Sequence, residues 1–318
     1  MYNKLYFVVF FTTIILAYFQ TVRIDAPNYE LKLKRHTSII ENTIEYPYKY
    51  RLINPYITNI WFTVCKIVLP ERAAFILAYF IQNILVYGFM LFAVFKFFGL
   101  WFEDTGAIAS LLLYAVLVPL SLTGYDTLGD ITTAGLMALG FYFINVGKNK
   151  YLFPLIFIGA FNELQMILLI PFYFFAKKSN WTDKKVWLNS LLLIVTFVIA
   201  YALIYLIRGG QAGGSDVQWF FTKDAAFNIA HKDWIALWFL MISPLLYFVI
   251  RDFKTKPEFL RRSAVIVLPL FYFIAFFFVA RLREIDKALT IFIILIPLAL
   301  YSVIPKHIPP IKSGAGND

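Results

Sequence analysis

The stretch VWLNSLLLIVTFVIAYALIYLI (residues 186–207) decides the fold class, because an apolar run of this length can cross a bilayer as one helix. Other runs in the chain are apolar over a similar length. The sequence therefore predicts an all-α fold, a polytopic transmembrane helical bundle of about eight full spans. The remaining runs cover residues 5–22, 73–98, 106–122, 128–146, 234–250, 263–280 and 288–304.

The composition agrees with this class. Hydrophobic residues make up 61% of the chain and charged residues 15%. In soluble domains, about 45–50% of the residues are apolar and about a quarter are charged. The net charge of +10 would suggest nucleic acid as the partner of a soluble protein. In a membrane protein it indicates lysines and arginines that hold cytoplasmic loops on anionic lipid, so we expect membrane lipid as a partner and no nucleic acid.

The longest polar interruption follows the first run and reads RIDAPNYELKLKRHTSIIENTIEYPYKYRLINPYITNIWFTVCKIVLP (residues 23–70). Within it, residues 55–69 are apolar but too few for a span, which predicts an interfacial helix. We therefore expect one transmembrane domain at 1–305, with an outer loop and interfacial helix at 23–72. The polar end, 306–318, is expected to be a disordered cytoplasmic tail.

The basic loops set the expected orientation. KKSNWTDKK (177–185), RDFKTKPEFLRR (251–262) and GKNK (147–150) are rich in lysine and arginine and should be cytoplasmic. Both termini then lie in the cytoplasm. We expect the protein itself in the cell membrane, specifically a bacterial inner membrane. This orientation requires residues 151–176 to enter and leave on the same side, as a re-entrant hairpin of two half-helices turning near 159–163.

The outer loop holds the first candidate residues. Asp25 and Glu30 follow the first span closely, and an acid near the membrane surface can act as a general base. The alternative is a solvated acid paired with Arg23. Farther along, Tyr48, Tyr50 and Arg51 suit binding of an anionic head group, since arginine contacts phosphate in a bidentate manner. The alternative there is an ordinary aromatic belt with neighbouring cations.

Two later outer loops add polar candidates. Asp126 and Asp130 could orient substrate hydroxyls, although Asp126 could equally cap the next helix. In the last outer loop, Arg281 and Arg283 suit a phosphate or pyrophosphate, with Glu284 beside them. The alternative for this loop is a local ion-pair network between helices.

Glu163 interrupts an apolar run, and an ionisable group at membrane depth indicates a functional site by default. The alternative is that Glu163, hydrogen-bonded to Asn162, has a structural role in the hairpin turn. The sequence has no Walker loop, no dinucleotide fingerprint and no HExxH motif. The histidines are scattered and Cys65 is the only cysteine, so we expect neither a metal site nor a cofactor.

The layout of most of the chain resembles the GT-C class of integral membrane glycosyltransferases. That class carries an acid in the first outer loop, an interfacial helix in the same loop, and a lipid-phosphate sugar donor on the outer side. The matching features here are Asp25, residues 46–70 and the outer arginines. Four short stretches also resemble landmarks of poorly characterised bacterial membrane proteins: YKYRLINP (48–55), YDTLGD (125–130), FNELQ (161–165) and RLREIDKAL (281–289).

The resemblance implies a glycosyltransferase that moves a sugar from a polyprenyl-phosphate-linked donor to a glycan or lipid acceptor outside the cytoplasm. Asp25 or Glu30 would be the base, and the outer arginines would hold the phosphate. One alternative is a polysaccharide polymerase of the Wzy or EpsG kind, which joins lipid-linked oligosaccharides. Another is a transporter or flippase with Glu163 as its site within the membrane.

Overall fold

The computed structural model describes residues 2–44, 48–122, 124, 127–176, 181–209, 224–231, 233–279, 281 and 284–304. All the secondary-structure elements within these residues are helical. The α-helices are α1 (Tyr2–Gln20), α2 (Tyr29–Ile40), α3 (Ile53–Lys66), α4 (Glu71–Phe98), α5 (Asp104–Ser121), α6 (Leu128–Asn145), α7 (Leu152–Ala160), α8 (Leu169–Phe175), α9 (Lys184–Arg208), α10 (Asp233–Ile250), α11 (Glu258–Arg262), α12 (Ile274–Val279) and α13 (Leu289–Leu300).

Five described helical stretches are long and apolar enough to cross a membrane, judged by length and composition. Their outward side chains are apolar as well. On α9, for example, Leu188, Leu191 and Val198 are each 57% exposed. Such a surface suits lipid and not water, so the chain is a helical membrane protein. The five stretches are Tyr6–Asp25, Glu71–Phe98, Asp104–Ser121, Lys184–Arg208 and Asp233–Ile250.

The segments predicted as spans at 128–146, 263–280 and 288–304 are also helical where they are described, but they fall outside that standard of length and apolarity. Two of them lie in the centre of the bundle. α6 packs against α4, α7, α8 and α13, and α13 packs against α5, α6 and α10. Every residue from Leu289 to Ala299 is buried. These central helices contact protein on nearly all sides.

The polar stretch at 23–70 is more helical than the sequence predicts. A π-helical turn, Thr21–Asp25, continues α1, so Asp25 belongs to the end of this helix and not to a loop beyond it. The unpredicted α2 follows, with Lys32, His36 and Ile39 on its buried face. Because two of these three residues are polar, the inward face has no apolar periodicity that could have revealed the helix.

The run at 151–176 is divided into two short helices. α7 ends at Ala160, and a 3₁₀ turn, Leu164–Leu168, leads into α8. At the break, the side-chain amide of Asn162 donates to the carbonyl of Gly129, at the start of α6. Farther along α6, the side chains of Leu155 from α7 and Leu169 from α8 both approach Gly140. The two short helices therefore lie beside the same part of α6.

Gly140 makes this packing possible, and its substitution gives a test. A Cβ at position 140 would lie 2.6 Å from Leu169 and 3.2 Å from Leu155. We expect Gly140→Ala to lower the free energy of unfolding by about 1–3 kcal/mol through overpacking, measured by thermal unfolding in detergent. The control is Gly88→Ala, whose Cβ would meet Thr13 at an ordinary 3.6 Å. Equal stability of the two variants would contradict this packing.

Candidate functional site

A buried ion pair closes the end of α1. The ammonium of Lys32 lies 2.5 Å from Oδ1 of Asp25, and both side chains are at least 96% buried. Gln20 donates to the same oxygen at 3.3 Å, and Asn83 from α4 donates to Oδ2 at 2.7 Å. Both carboxylate oxygens of Asp25 therefore accept hydrogen bonds. This pairing offsets the cost of removing two charges from water.

A second charge cluster joins four separate parts of the chain. Arg51, just before α3, pairs with Glu163 at the α7–α8 break, with 2.8 Å between Nη2 and Oε1. Lys287, before α13, pairs with Asp130 of α6 at 2.9 Å. The same ammonium lies 3.7 Å from Glu163 and 3.8 Å from Glu284. Three acids thus surround one lysine, with Arg51 at the edge of the cluster.

Asp286 adds a further buried acid to this cluster. Its side chain lies in the turn before α13, close to Asp130. Burial, together with the charge of Asp130, raises the pKa of Asp286 well above its usual range. Folding therefore favours the neutral form of the Asp286 carboxyl beside Asp130.

Buried amides connect α3, α4 and α6 to the break. The side-chain amide of Asn54 donates to Thr132 and to Asn162, each at 3.0 Å, and its oxygen accepts from Gln82 at 3.0 Å. Asn162 in turn donates to the carbonyl of Gly129 at 2.8 Å. Because these partners come from several elements, the network fixes the α7–α8 break against the N-terminal end of α6.

An open cavity lies between the two charge clusters. The space enclosed within it is small, about 20 Å³ and room for roughly one water molecule, and it reaches about 420 Å³ only when the open solvent at the mouth is included. Lys32 from the first pair and Arg51 from the second both line it, so both charge clusters border one space. Thr58 also lines it, and its buried hydroxyl has no hydrogen-bond partner in the described part of the chain. The lining residues are Lys32, Ile39, Arg51, Asn54, Pro55, Thr58, Tyr79, Leu128, Gly129 and Asn162.

A further arginine stands beside the cavity. The guanidinium groups of Arg35 and Arg51 lie 3.5 and 5.0 Å from the centroid of the Tyr48 ring. Two cations at one aromatic ring raise the local positive charge. Tyr50 is buried and contacts the Tyr201 ring of α9 at 5.6 Å, so this tyrosine packs against α9.

The structure brings some of the residues predicted from the sequence together. Arg51, Asp130, Glu163 and Glu284 share the Lys287 cluster. Asp25 belongs to the neighbouring ion pair, and its partner Lys32 lines the same cavity as Arg51. The sequence had suggested a substrate-binding role for the four clustered residues, and the structure gives each a charged protein partner.

Other predicted residues lie apart from the cavity or outside the described residues. Glu30 is exposed in the first turn of α2. Arg281 pairs with Asp224 at 3.1 Å. Asp126 and Arg283 lie outside the described residues, so their predicted roles stay predictions.

Sequence reasoning did not select Lys32, Lys287, Asn54 or Thr58 as site residues. Lys32 follows Asp25 by seven positions, but a turn at residues 26–28 separates their helices, so helical spacing could not have paired them. The partners of Lys287 and Asn54 are distant in sequence, and their pairing needs the fold. Comparison of the chain with protein-family models, with curated proteins and with solved structures found no match.

The Lys287 cluster can be tested against a matched surface pair. Lys287→Met leaves buried acids without their cation, so we expect the free energy of unfolding to fall by about 3–5 kcal/mol. The control is Lys66→Met, because Lys66 forms an exposed pair with Glu71 at 2.8 Å, and such pairs contribute about 0–1 kcal/mol. Thermal unfolding in detergent measures both. Similar losses in the two variants would rule out the proposed importance of the buried cluster.

The raised pKa of Asp286 predicts how the stability of the protein changes with pH. The pKa is raised by folding, so the folded state binds a proton that the unfolded state has lost above about pH 4. Wild-type stability therefore falls as pH rises toward the folded-state pKa, by up to about 1.4 kcal/mol per pH unit. Asp286→Asn removes this proton uptake, so its stability relative to wild type should increase as the pH rises above about 4 and up to the folded-state pKa. A constant difference across this range would exclude the shift.

Proposed function

We propose that this protein is a membrane glycosyltransferase that transfers a sugar from a polyprenyl-phosphate-linked donor to a glycan or lipid acceptor on the outer side of the membrane. One observation carries the proposal. Lys32 and Arg51 line one open cavity at the end of the α1 span, and each pairs with a buried acid. This pair of cations suits a lipid whose phosphate binds at the mouth of the cavity while its hydrocarbon tail stays in the bilayer.

The charge of the cavity fits a phosphodiester. Arginine and lysine are the usual phosphate ligands in proteins. Because Asp25 and Glu163 already neutralise Lys32 and Arg51, the empty cavity needs no bound anion for charge balance. A donor can therefore bind and leave, as turnover requires.

We further propose the finer topology that the sequence predicts. In it the chain makes about eight spans, with both termini and the tail at 306–318 in the cytoplasm of a bacterial cell. Residues 151–176 form the re-entrant hairpin. The contacts of α7 and α8 with α6 support this hairpin. Leu155 of α7 and Leu169 of α8 both reach Gly140, while Asn162, at the break between them, reaches Gly129. In this topology the helix α3 lies at the outer interface, and its residues Asn54, Pro55 and Thr58 line the cavity.

A transporter or flippase is a second candidate, and the position of Glu163 favours it. This acid is 5% exposed at a helix break and contacts two cations. Broken helices with charged residues are common at the substrate sites of transporters. In this reading, Glu163 carries a proton or contacts the head group that is moved, and no sugar bond is made or broken.

The proposal predicts binding of a lipid phosphate by the cavity cations. In nanodiscs holding the full chain, undecaprenyl phosphate should bind, and Lys32→Gln and Arg51→Gln should each weaken it about tenfold or more, since a lost charge-assisted contact costs more than about 1.4 kcal/mol. The control is Lys34→Gln, an exposed lysine of the same helix as Lys32, which should bind normally. Equal weakening by Lys34→Gln would show only general electrostatic attraction and would contradict a site in the cavity.

The same preparations distinguish the two functions. A glycosyltransferase releases undecaprenyl phosphate from labelled undecaprenyl-phosphate sugars, tested as a panel of hexoses and amino sugars, when membranes supply acceptors. A flippase moves the lipid across the bilayer of a vesicle and leaves it chemically unchanged. Movement without transfer would reject the glycosyltransferase.

A further inference from the structure

The α2 helix forms one wall of the cavity. Lys32 and Ile39, both on α2, line it, and both side chains are at least 96% buried. The enclosed space beside them holds roughly one water molecule, whereas a phosphate group carries four oxygens around its phosphorus. A phosphate can therefore reach the mouth but cannot enter the enclosed part until a section of the wall moves.

The C-terminal half of α2 has little apolar packing. Tyr29 and Leu33, in the N-terminal half, pack against the hydrophobic core, and the Tyr29 ring lies 5.5 Å from that of Phe75. Ile39, near the other end, is buried but does not belong to that core among the described residues, and it borders the cavity instead. Segments with few buried apolar contacts open at the lowest cost in free energy.

Polar contacts hold this half in place. A ring nitrogen of His36 lies 3.2 Å from Oδ1 of Asn59. Arg208, the last residue of α9, donates from its guanidinium to the carbonyl of Ile39, and the side-chain amide of Asn42 donates to the carbonyl of Arg208 at 2.8 Å. The ends of α2 and α9 thus exchange hydrogen bonds in both directions. Water can replace such partners when a helix moves away, so each bond holds it only weakly.

A turn at residues 26–28 precedes α2 and can serve as its hinge. With a helical rise of 1.5 Å per residue, Lys32 lies about 6 Å along the helix from this turn and Ile39 about 16 Å. A rotation about the turn therefore moves Ile39 more than twice as far as Lys32. Lys32 can then stay beside Asp25, 2.5 Å away in this structure, while Ile39 leaves the cavity.

We propose that α2 is a lid, hinged at residues 26–28 and latched to α9 by Arg208 and Asn42, that opens to admit the phosphate of the donor lipid. The identity of this ligand rests on the proposed function. On opening, Ile39 withdraws and widens the cavity, and Lys32 remains near the hinge as a cation for the phosphate. Lids of this kind control the entry of substrate and exclude water once they close.

Thiol reactivity measures the opening without any ligand. Thr58 lies on α3, lines the cavity and is fully buried, so a cysteine there reports on the lid from the opposite wall. In the full chain in nanodiscs, with Cys65→Ala removing the native thiol, Thr58→Cys should react slowly with a charged methanethiosulfonate. Asn42→Gly then removes one latch bond without strain, because Asn42 has a φ of 61° and glycine accepts positive φ. We expect the modification rate to rise about three- to tenfold, the effect of one lost hydrogen bond.

Three controls separate lid opening from a general loosening of the protein. Thr63→Cys, exposed on the same helix, should react rapidly with and without Asn42→Gly. Ser110→Cys, fully buried in α5, should stay unreactive in both backgrounds. Ser38→Ala removes a hydrogen bond within α2, to the carbonyl of Lys34, and leaves the latch intact, so it should not change the rate at position 58.

The association rate of undecaprenyl phosphate connects the lid to the donor. Because only the open fraction can bind, Asn42→Gly should raise this rate by the same factor as the thiol reactivity. Unchanged thiol reactivity would overturn the lid and leave the glycosyltransferase standing. Higher reactivity with an unchanged association rate would show that α2 opens without controlling entry, which also overturns the inference. A wild-type chain that binds no undecaprenyl phosphate would overturn the proposed function and the donor gate together, and the thiol reactivity tells these failures apart because it needs no ligand.

Discussion

Charge pairing within an apolar bundle is the constraint on which the described structure depends. A lone charge removed from water costs several kcal/mol, so each buried ion must find a partner from another element. Lys287 meets this requirement by pairing with Asp130 at 2.9 Å, 157 positions earlier in the chain. Arg51 does so through Glu163. Together these contacts hold the start of α3, α6, the α7–α8 break and the turn before α13 at one end of the bundle.

The break between α7 and α8 is tolerated for the same reason. Non-helical backbone buried within an apolar bundle needs polar partners. Asn162 supplies one such contact by donating to the carbonyl of Gly129, and Glu163 finds Arg51 and Lys287. Gly140 lets both flanking helices approach α6 closely. Thus a polar interruption that would be costly in lipid becomes the connection between the charge cluster and the cavity.

This arrangement also accounts for a cavity with two cations and little net charge. Asp25 and Glu163 each neutralise one cation, while Lys32 and Arg51 both line the cavity. Each of these two cations therefore has an acid beside it, which offsets the cost of its burial.

The sequence by itself determined the all-helical class, the membrane environment and the candidate status of Arg51, Asp130, Glu163 and Glu284. Long apolar runs and charges within them are local properties of the chain, and the burial of Asp130 and Glu163 follows from their neighbours in sequence. The tertiary structure decided which charges meet. The α2 helix, with its polar inward face, and the pairing of residues far apart in sequence required the fold, because hydrophobic periodicity carries no information about long-range electrostatic partners. It also decided that Asp25 is enclosed by Lys32, Gln20 and Asn83 and that Glu163 meets Arg51, since the contacts of a carboxylate depend on packing between helices and not on its position along the chain.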